Sequence, residues 1–209
     1  MIVNGNSLLQ ACPIKDMECT KLRGKISSYG LGEAGYDIRI KQDIEFCVLP
    51  NGKPLIRVSE PSRAQAGPSS EAHGRFVLAS TLEEFQMPKD LVGVVHDKST
   101  WARKGVSVFN TVIEPGWNGF LTLEIVFHGE EQVFIPAGSG IAQVVFTHTT
   151  NDAYYTGKYQ NQADQPVPAI NSRLDSLCTV CHGEQIMTVH GITCDNGHDG
   201  DPGYDTSIR

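Results

Sequence analysis

Carboxylates, cations and hydroxyls are gathered into a few short blocks of this chain. "GWNGFLTLEIVFHG" (116–129) holds one carboxylate, Glu124, inside a strand-like alternation. Leu121, Leu123, Ile125 and Phe127 fall on one face, and Thr122, Glu124 and Val126 on the other. On composition alone Glu124 is the solvated carboxylate of a half-buried strand. "KSTWARKG" (98–105) packs together Lys98, Ser99, Thr100, Arg103 and Lys104. Charge from Lys and Arg, with directional donors from hydroxyls and freed N–H groups, can cradle a polyphosphate. Read by itself the block is first a solvated helix N-terminus, which its Ser/Thr start also suits. It lacks the glycine spacing of a Walker loop. "VIEPGWNG" (112–119) ends a strand in a turn; the turn accounts for Pro115 and Gly116 but not for Glu114. "GYDIR" (35–39) places Asp37 and Arg39 on one strand face, as a structural ion pair or as part of a site. In "GSGIAQ" (138–143), Gln143 enters an apolar run, where its amide must be hydrogen-bonded by backbone or by ligand.

A further concentration of reactive groups lies in "CTVCHGEQIMTVHGITCDNGH" (178–198). Cys178-x2-Cys181 and Cys194-x3-His198 are separated by 12 residues, a zinc-ribbon-like spacing. It predicts a structural Zn²⁺, which would stabilise a tail too small to bury its own core. His182 and His190 are alternative ligands, and a tail with free thiols is the plainer reading. Cys12, Cys19 and Cys47 have no such spacing and are expected to be core or incidental residues.

These groups need a scaffold. The 209 residues suffice for one domain with a sizeable core and a small appendage. A net charge of −7 argues against a general nucleic-acid binder. No apolar run is long enough to span a membrane, and "MIVNGNSLLQACPIKD" does not read as a secretory signal. The expected compartment is the cytoplasm, with reduced thiols. "NSLLQACPI" reads as a short N-terminal helix. Strand-like runs follow, punctuated by Gly, Pro, Asn and Asp, so the expected class is all-β. Residues 50–74, rich in Pro, Gly and Ser, read as a loop excursion, and 151–173 as an extended arm.

In order, GYDIR, KSTWARKG, VIEPGWNG, LTLE, GIAQ and GKYQNQ resemble the dCTP deaminase family, the deaminating branch of the dUTPase-like superfamily. The resemblance runs from about residue 27 to residue 173. Glu124 and the "GKYQNQ" arm set it apart from dUTP diphosphatases, which usually have an apolar residue at that position and a glycine-rich closing motif. The resemblance implies a distorted β-barrel or jelly-roll that forms a homotrimer, with active sites between subunits. It implies that Lys98, Ser99, Thr100, Trp101, Ala102 and Arg103 form the phosphate segment, with Ser99 and Arg103 in direct contact. Glu114, often Asp in relatives, would hold the deoxyribose region. Thr122, Leu123 and Glu124 would face the cytosine, and Gln143, Lys158 and Gln162 would make further nucleotide contacts. Tyr155 joins them, with Tyr154 as the alternative. The expected domains are 1–174, including the arm 151–174, and a zinc-ribbon-like extension at 175–209. Mg²⁺ would accompany the triphosphate. Between Gly105 and Glu114 the chain lacks a Thr-Ala pair present in some members, so feedback by dTTP does not carry over.

The implied reaction is deamination of dCTP to dUTP with release of ammonia. Glu124 would take a proton from water and return it to the leaving group, with no metal in the bond-breaking step. A partly desolvated site that raises its pKa would suit that role. One alternative is a bifunctional enzyme, or a plain dUTP diphosphatase, giving dUMP and pyrophosphate, with Asp37 and Glu114 positioning a water. Another is a non-catalytic nucleotide sensor. A zinc-dependent cytidine deaminase is suggested by His128-Gly129-Glu130 ahead of Cys178 and Cys181. Leu177 stands where that motif needs Pro, and no α/β alternation is present.

Overall fold

The alternating run 118–127 forms a ten-residue strand, with Leu121, Leu123, Ile125 and Phe127 all buried. Full burial of such a side chain stabilises by about 1.5–3 kcal/mol, so this face anchors the strand to the core. The structure, a computed structural model, describes residues 1–61, 66–170, 185–188, 191–194 and 199–200. The chain separates into two units, Met1–Pro168 and Ala169–Arg209.

The first unit begins with β1 (Ile2–Val3) and the expected short helix, α1 (Gly5–Ala11). Cys12 closes that helix in the left-handed region, φ 47°, and Pro13 follows, where an α-helix cannot continue. Next come β2 (Lys21–Leu22), β3 (Tyr29–Leu31), β4 (Tyr36–Arg39) and β5 (Asp43–Val48). A hairpin of β6 (Pro54–Pro61) and β7 (Ala66–His73) leads to β8 (Phe76–Gln86) and β9 (Leu91–Asp97). One turn of helix, α2 (Ser99–Ala102), precedes β10 (Val106–Val108) and β11 (Val112–Ile113). The unit's strands end with β12 (Asn118–Phe127), β13 (Val133–Ile135) and β14 (Gly140–His148).

Among the described residues of this unit the strands form three sheets, in a distorted jelly-roll. The largest runs β11-β9-β14-β4-β3-β2, with β1 also on β14; the others run β10-β12-β8 and β13-β5-β6-β7. A single core cluster draws Ile38 from β4, Phe46 from β5, Phe85 from β8, Ile125 from β12 and Phe146 from β14. Phe46 stacks on Phe127 at 5.1 Å, joining two sheets. Among the described residues no helix is long and apolar enough to cross a membrane.

The excursion expected at 50–74 is instead largely the β6–β7 hairpin, paired to β5 from Asp43↔Ser59 to Val48↔Pro54. Arg57 spans the three strands, bonding Glu45 at 3.1 Å and Glu71 at 2.8 Å. Pro68 lies on the edge strand β7, within the register shift between Ser59↔Ser69 and Pro61↔Ala66, a position where a missing N–H is tolerated.

In the second unit, β15 (Gln185–Thr188), β16 (Gly191–Cys194) and β17 (Asp199–Gly200) form an antiparallel sheet. Cys194 ends β16 opposite Gln185.

Candidate active site

β12 carries the candidate carboxylate. Its ladder with β8 shifts register between Phe120 and Thr122, then pairs Thr122 with Ser80, Glu124 with Leu78 and Val126 with Phe76. Opposed residues share a sheet face. Glu124 therefore shares its face with half-buried Leu78 and Val126 and with exposed Phe76. The Phe76 ring lies 6.3 Å from that of Phe109, which is also exposed. Glu124 itself is half-buried, and its carboxylate accepts a bond from the Thr111 hydroxyl at 3.3 Å.

The segment 98–104 is pinned from below. Trp101 is buried and its indole N–H donates to the Gly140 carbonyl at 2.7 Å. Ser27 donates to the same carbonyl. Lys104 lies 5.2 Å over the Trp101 ring. Ser99, Ala102 and Arg103 are exposed and Thr100 half-buried. Arg103 makes no ion pair among the described residues, so its charge is open to an anion.

Lys98 is not open in that way. Its ammonium pairs with the buried Asp37 carboxylate, which Gln143 also contacts from 3.3 Å. Arg39 turns to a different partner, Glu83, donating its backbone N–H at 2.8 Å and its side-chain Nε at 2.7 Å. Burial pushes the Glu83 carboxyl up, and the Arg39 bonds pull it back. The Asp37–Arg39 pair suggested by the strand spacing is thus replaced by two pairs with other elements. Trp101 and Leu123 direct their side chains into the core, leaving only main-chain groups for any ligand.

The arm packs on the turn before β12. Glu114 is exposed beside a cleft of about 320 Å³, lined also by Pro115, Tyr154 and Tyr155. Both tyrosines thus face it, so the choice between them stays open. Gly116 has φ 72°, and a Cβ there would sit 2.4 Å from the Tyr154 ring. The Trp117 indole donates to the Tyr159 carbonyl at 2.6 Å, and the Lys158 ammonium lies 5.1 Å from the Tyr159 ring. Gln162 forms a parallel bridge with Gly119, and its side-chain amide oxygen accepts from both the Thr122 N–H and hydroxyl at 3.4 Å. The Thr122 hydroxyl also accepts from Val167 N–H at 3.0 Å.

The structure thus joins Thr122 with Gln162, Lys98 with Gln143 through Asp37, and Glu114 with both tyrosines. It draws in two polar residues that the sequence reading passed over. Thr111 gives no signal beyond a hydroxyl close to Glu114. Gln160 was hidden in plain view inside "GKYQNQ".

Among the described residues no group of three or more His, Cys, Asp or Glu could hold a metal. Of the zinc ligands suggested by spacing, Cys178, Cys181 and His198, with the alternatives His182 and His190, lie outside the described residues. His128 sits exposed just past β12, its N–H donating to Gly105 at 2.7 Å, and no helix opens there as a zinc cytidine deaminase needs. Cys12 and Cys19 are exposed and Cys47 half-buried, so none is a core residue.

The model of the family described as dCTP deaminase-like matches residues 13–149. Curated proteins named dCTP deaminase match most of the chain. That of Helicobacter pylori (strain P12) is 37% identical over 166 residues, 73% of this chain and 87% of the relative. That of Herpetosiphon aurantiacus is 34% identical over 159 residues, 72% of this chain and 86% of the relative. Among solved structures, EIAV dUTPase is 19% identical with a TM-score of 0.41, covering 72% of this chain and 96% of that one.

Proposed function

The chain belongs to the dCTP deaminase-like family, and from that premise we propose that it hydrolyses dCTP to dUTP and ammonia. The observation that carries the assignment is Glu124, half-buried on β12, oriented by Thr111 and flanked by the Thr122–Gln162 contact. Glu124 takes a proton from water as the oxygen attacks C4 of cytosine, then gives it to the departing amine. Thr122 and the main chain at Leu123 face the base. Gln162 and Lys158 close over the nucleotide from the arm, and Glu114 with Tyr155 holds the deoxyribose region.

Ser99, Thr100 and Arg103 receive the triphosphate, joined by main-chain groups of 98–102. Mg²⁺ arrives with the triphosphate as part of the substrate. Lys98 and Gln143 act through Asp37, keeping the phosphate segment in register with β4 and β14.

The assembly is a homotrimer with sites between subunits. The exposed Phe76 and Phe109 beside Glu124 support it, since a second copy covering them would also desolvate the carboxylate. The domains are 1–174 and a zinc-ribbon-like extension at 175–209, the zinc held by Cys178, Cys181, Cys194 and His198. The β15–β16 hairpin, which ends at Cys194, supports that arrangement. The compartment is the cytoplasm.

Cleavage on to dUMP would have Asp37 and Glu114 position a water. Lys98 and Gln143 each bond one Asp37 oxygen, and it is Glu124 on β12, where dUTP diphosphatases usually carry an apolar residue, that favours deamination. Incubating the protein with dCTP or dUTP and Mg²⁺, then resolving the products chromatographically, tests this. Conversion of dCTP to dUTP with ammonia, and no dUMP, is expected. Pyrophosphate from either nucleotide would establish the diphosphatase reading, and no turnover would favour the sensor.

A further inference from the structure

We infer that Gln160 is a positioning residue: it locks the arm onto the turn before β12 and thereby sets nucleotide affinity, without touching the nucleotide. Its side-chain N–H groups donate to the carbonyls of Gly116 at 2.8 Å and Tyr155 at 3.0 Å. Its side-chain oxygen accepts from Asn118 N–H at 2.8 Å and Asn161 N–H at 3.2 Å. A primary amide has two donor hydrogens and two acceptor lone pairs. All four are used within the chain, so none remains for a ligand. The amide orientation is unambiguous, because both partners of the nitrogen are carbonyls and both partners of the oxygen are N–H groups.

Those four bonds meet where the arm must be held. Gly116 lies in the turn entering β12, Asn118 begins that strand, and Tyr155 lies in the first part of the arm. Asn161, at φ 59°, reverses the chain so that Gln162 can pair with Gly119. The arm has no apolar period, so hydrogen bonds must do much of what core packing does elsewhere. The residues proposed to meet nucleotide, Lys158 and Gln162, stand two positions to either side of Gln160. Fixing Gln160 therefore fixes the segment that carries them.

A binding segment ordered only part of the time weakens apparent affinity by the ordered fraction. Saturating nucleotide re-orders it, so the deficit appears in KM rather than in kcat. Gln160→Met, of similar length but without the amide, and Gln160→Ala are the variants. The assay rests on the deaminase reading; amide exchange at Asn118 and within residues 154–162 in the free protein does not. Both variants are expected to raise KM for dCTP about tenfold, with kcat changed less than about twofold. They should also lose protection at Asn118 and Asn161, and regain it when dCTP saturates. Unchanged protection, or a fall in kcat with KM intact, overturns the proposal. Failure of both variants to fold assigns Gln160 to core stability and also overturns it. If the parent protein does not turn over dCTP, the deaminase reading fails, while unchanged exchange alone still decides against the lock.

Discussion

Lys98, the first residue of the segment 98–104, forms an ion pair with Asp37, with side chains only 13% and 2% exposed. Gln143 is the second partner of that carboxylate. Removing one member of a buried pair strands the other charge and costs about 3–5 kcal/mol. Because the lysine keeps some solvent, the lower end applies. Lys98→Ala should therefore lower the melting temperature by about 6–12 °C in a chain of this size. Asp37→Asn in the same chain should cut the cost of losing Lys98, since no buried charge is then left behind. Calorimetric melts of the two single variants and the double variant measure this. A Lys98→Ala shift of a degree or less would place the pair in solvent.

Glu124 is the group through which protons pass in the proposed reaction. Glu124→Gln keeps the shape and can still accept from Thr111, but it cannot take a proton from water. Ammonia release should fall by about 10²–10⁴-fold, the usual worth of a general base. Nucleotide affinity by titration calorimetry should be nearly unchanged. Turnover close to that of the parent protein would move the proton transfer to another residue.

Period-two alternation sufficed to read β12, because a strand's two faces are written directly into its sequence. It placed Glu124 opposite the core without knowledge of any partner. Asp37 and Arg39 also share a face, but residues two apart along a strand lie about 7 Å from each other. Lys98 and Glu83, from other elements, come closer and take the pairs. Such long-range choices leave no local mark. The β6–β7 hairpin was misread for a related reason: Pro, Gly and Ser mark loops locally, yet an edge strand tolerates them when its other edge is paired. Thr111 and Gln160 were invisible because their importance lies in whom they bond, not in what they are.

At Gly119 the arm passes directly against β12. It holds φ 126°, and a Cβ there would stand 2.5 Å from the Gln162 nitrogen and 2.6 Å from its oxygen. Both are backbone atoms, so no side chain can swing aside. Gly119→Ala should strain the strand by about 1–3 kcal/mol and push Gln162 away from Thr122. The expected result is a lower melting temperature together with faster proteolysis within 154–168. A variant as stable and as resistant as the parent would mean the arm has room to yield.

Zinc, if the tail binds it, should be separable from catalysis. Glu124, Thr111, Ser99 and Arg103 all belong to the unit Met1–Pro168, whereas Cys178, Cys181, Cys194 and His198 lie in Ala169–Arg209. Four ligands of that type bind one zinc tetrahedrally and leave no open position for a water. Elemental analysis should find about one zinc per chain, lost in a Cys178→Ser, Cys181→Ser variant. Stripping the metal with a chelator and restoring Mg²⁺ should loosen the tail, seen as faster amide exchange in 185–194. Ammonia release from dCTP should continue at nearly the parent rate. Turnover that vanishes with zinc and returns only with zinc would shift the attacking water from Glu124 to the metal, because a zinc-bound hydroxide needs no separate base to form at neutral pH.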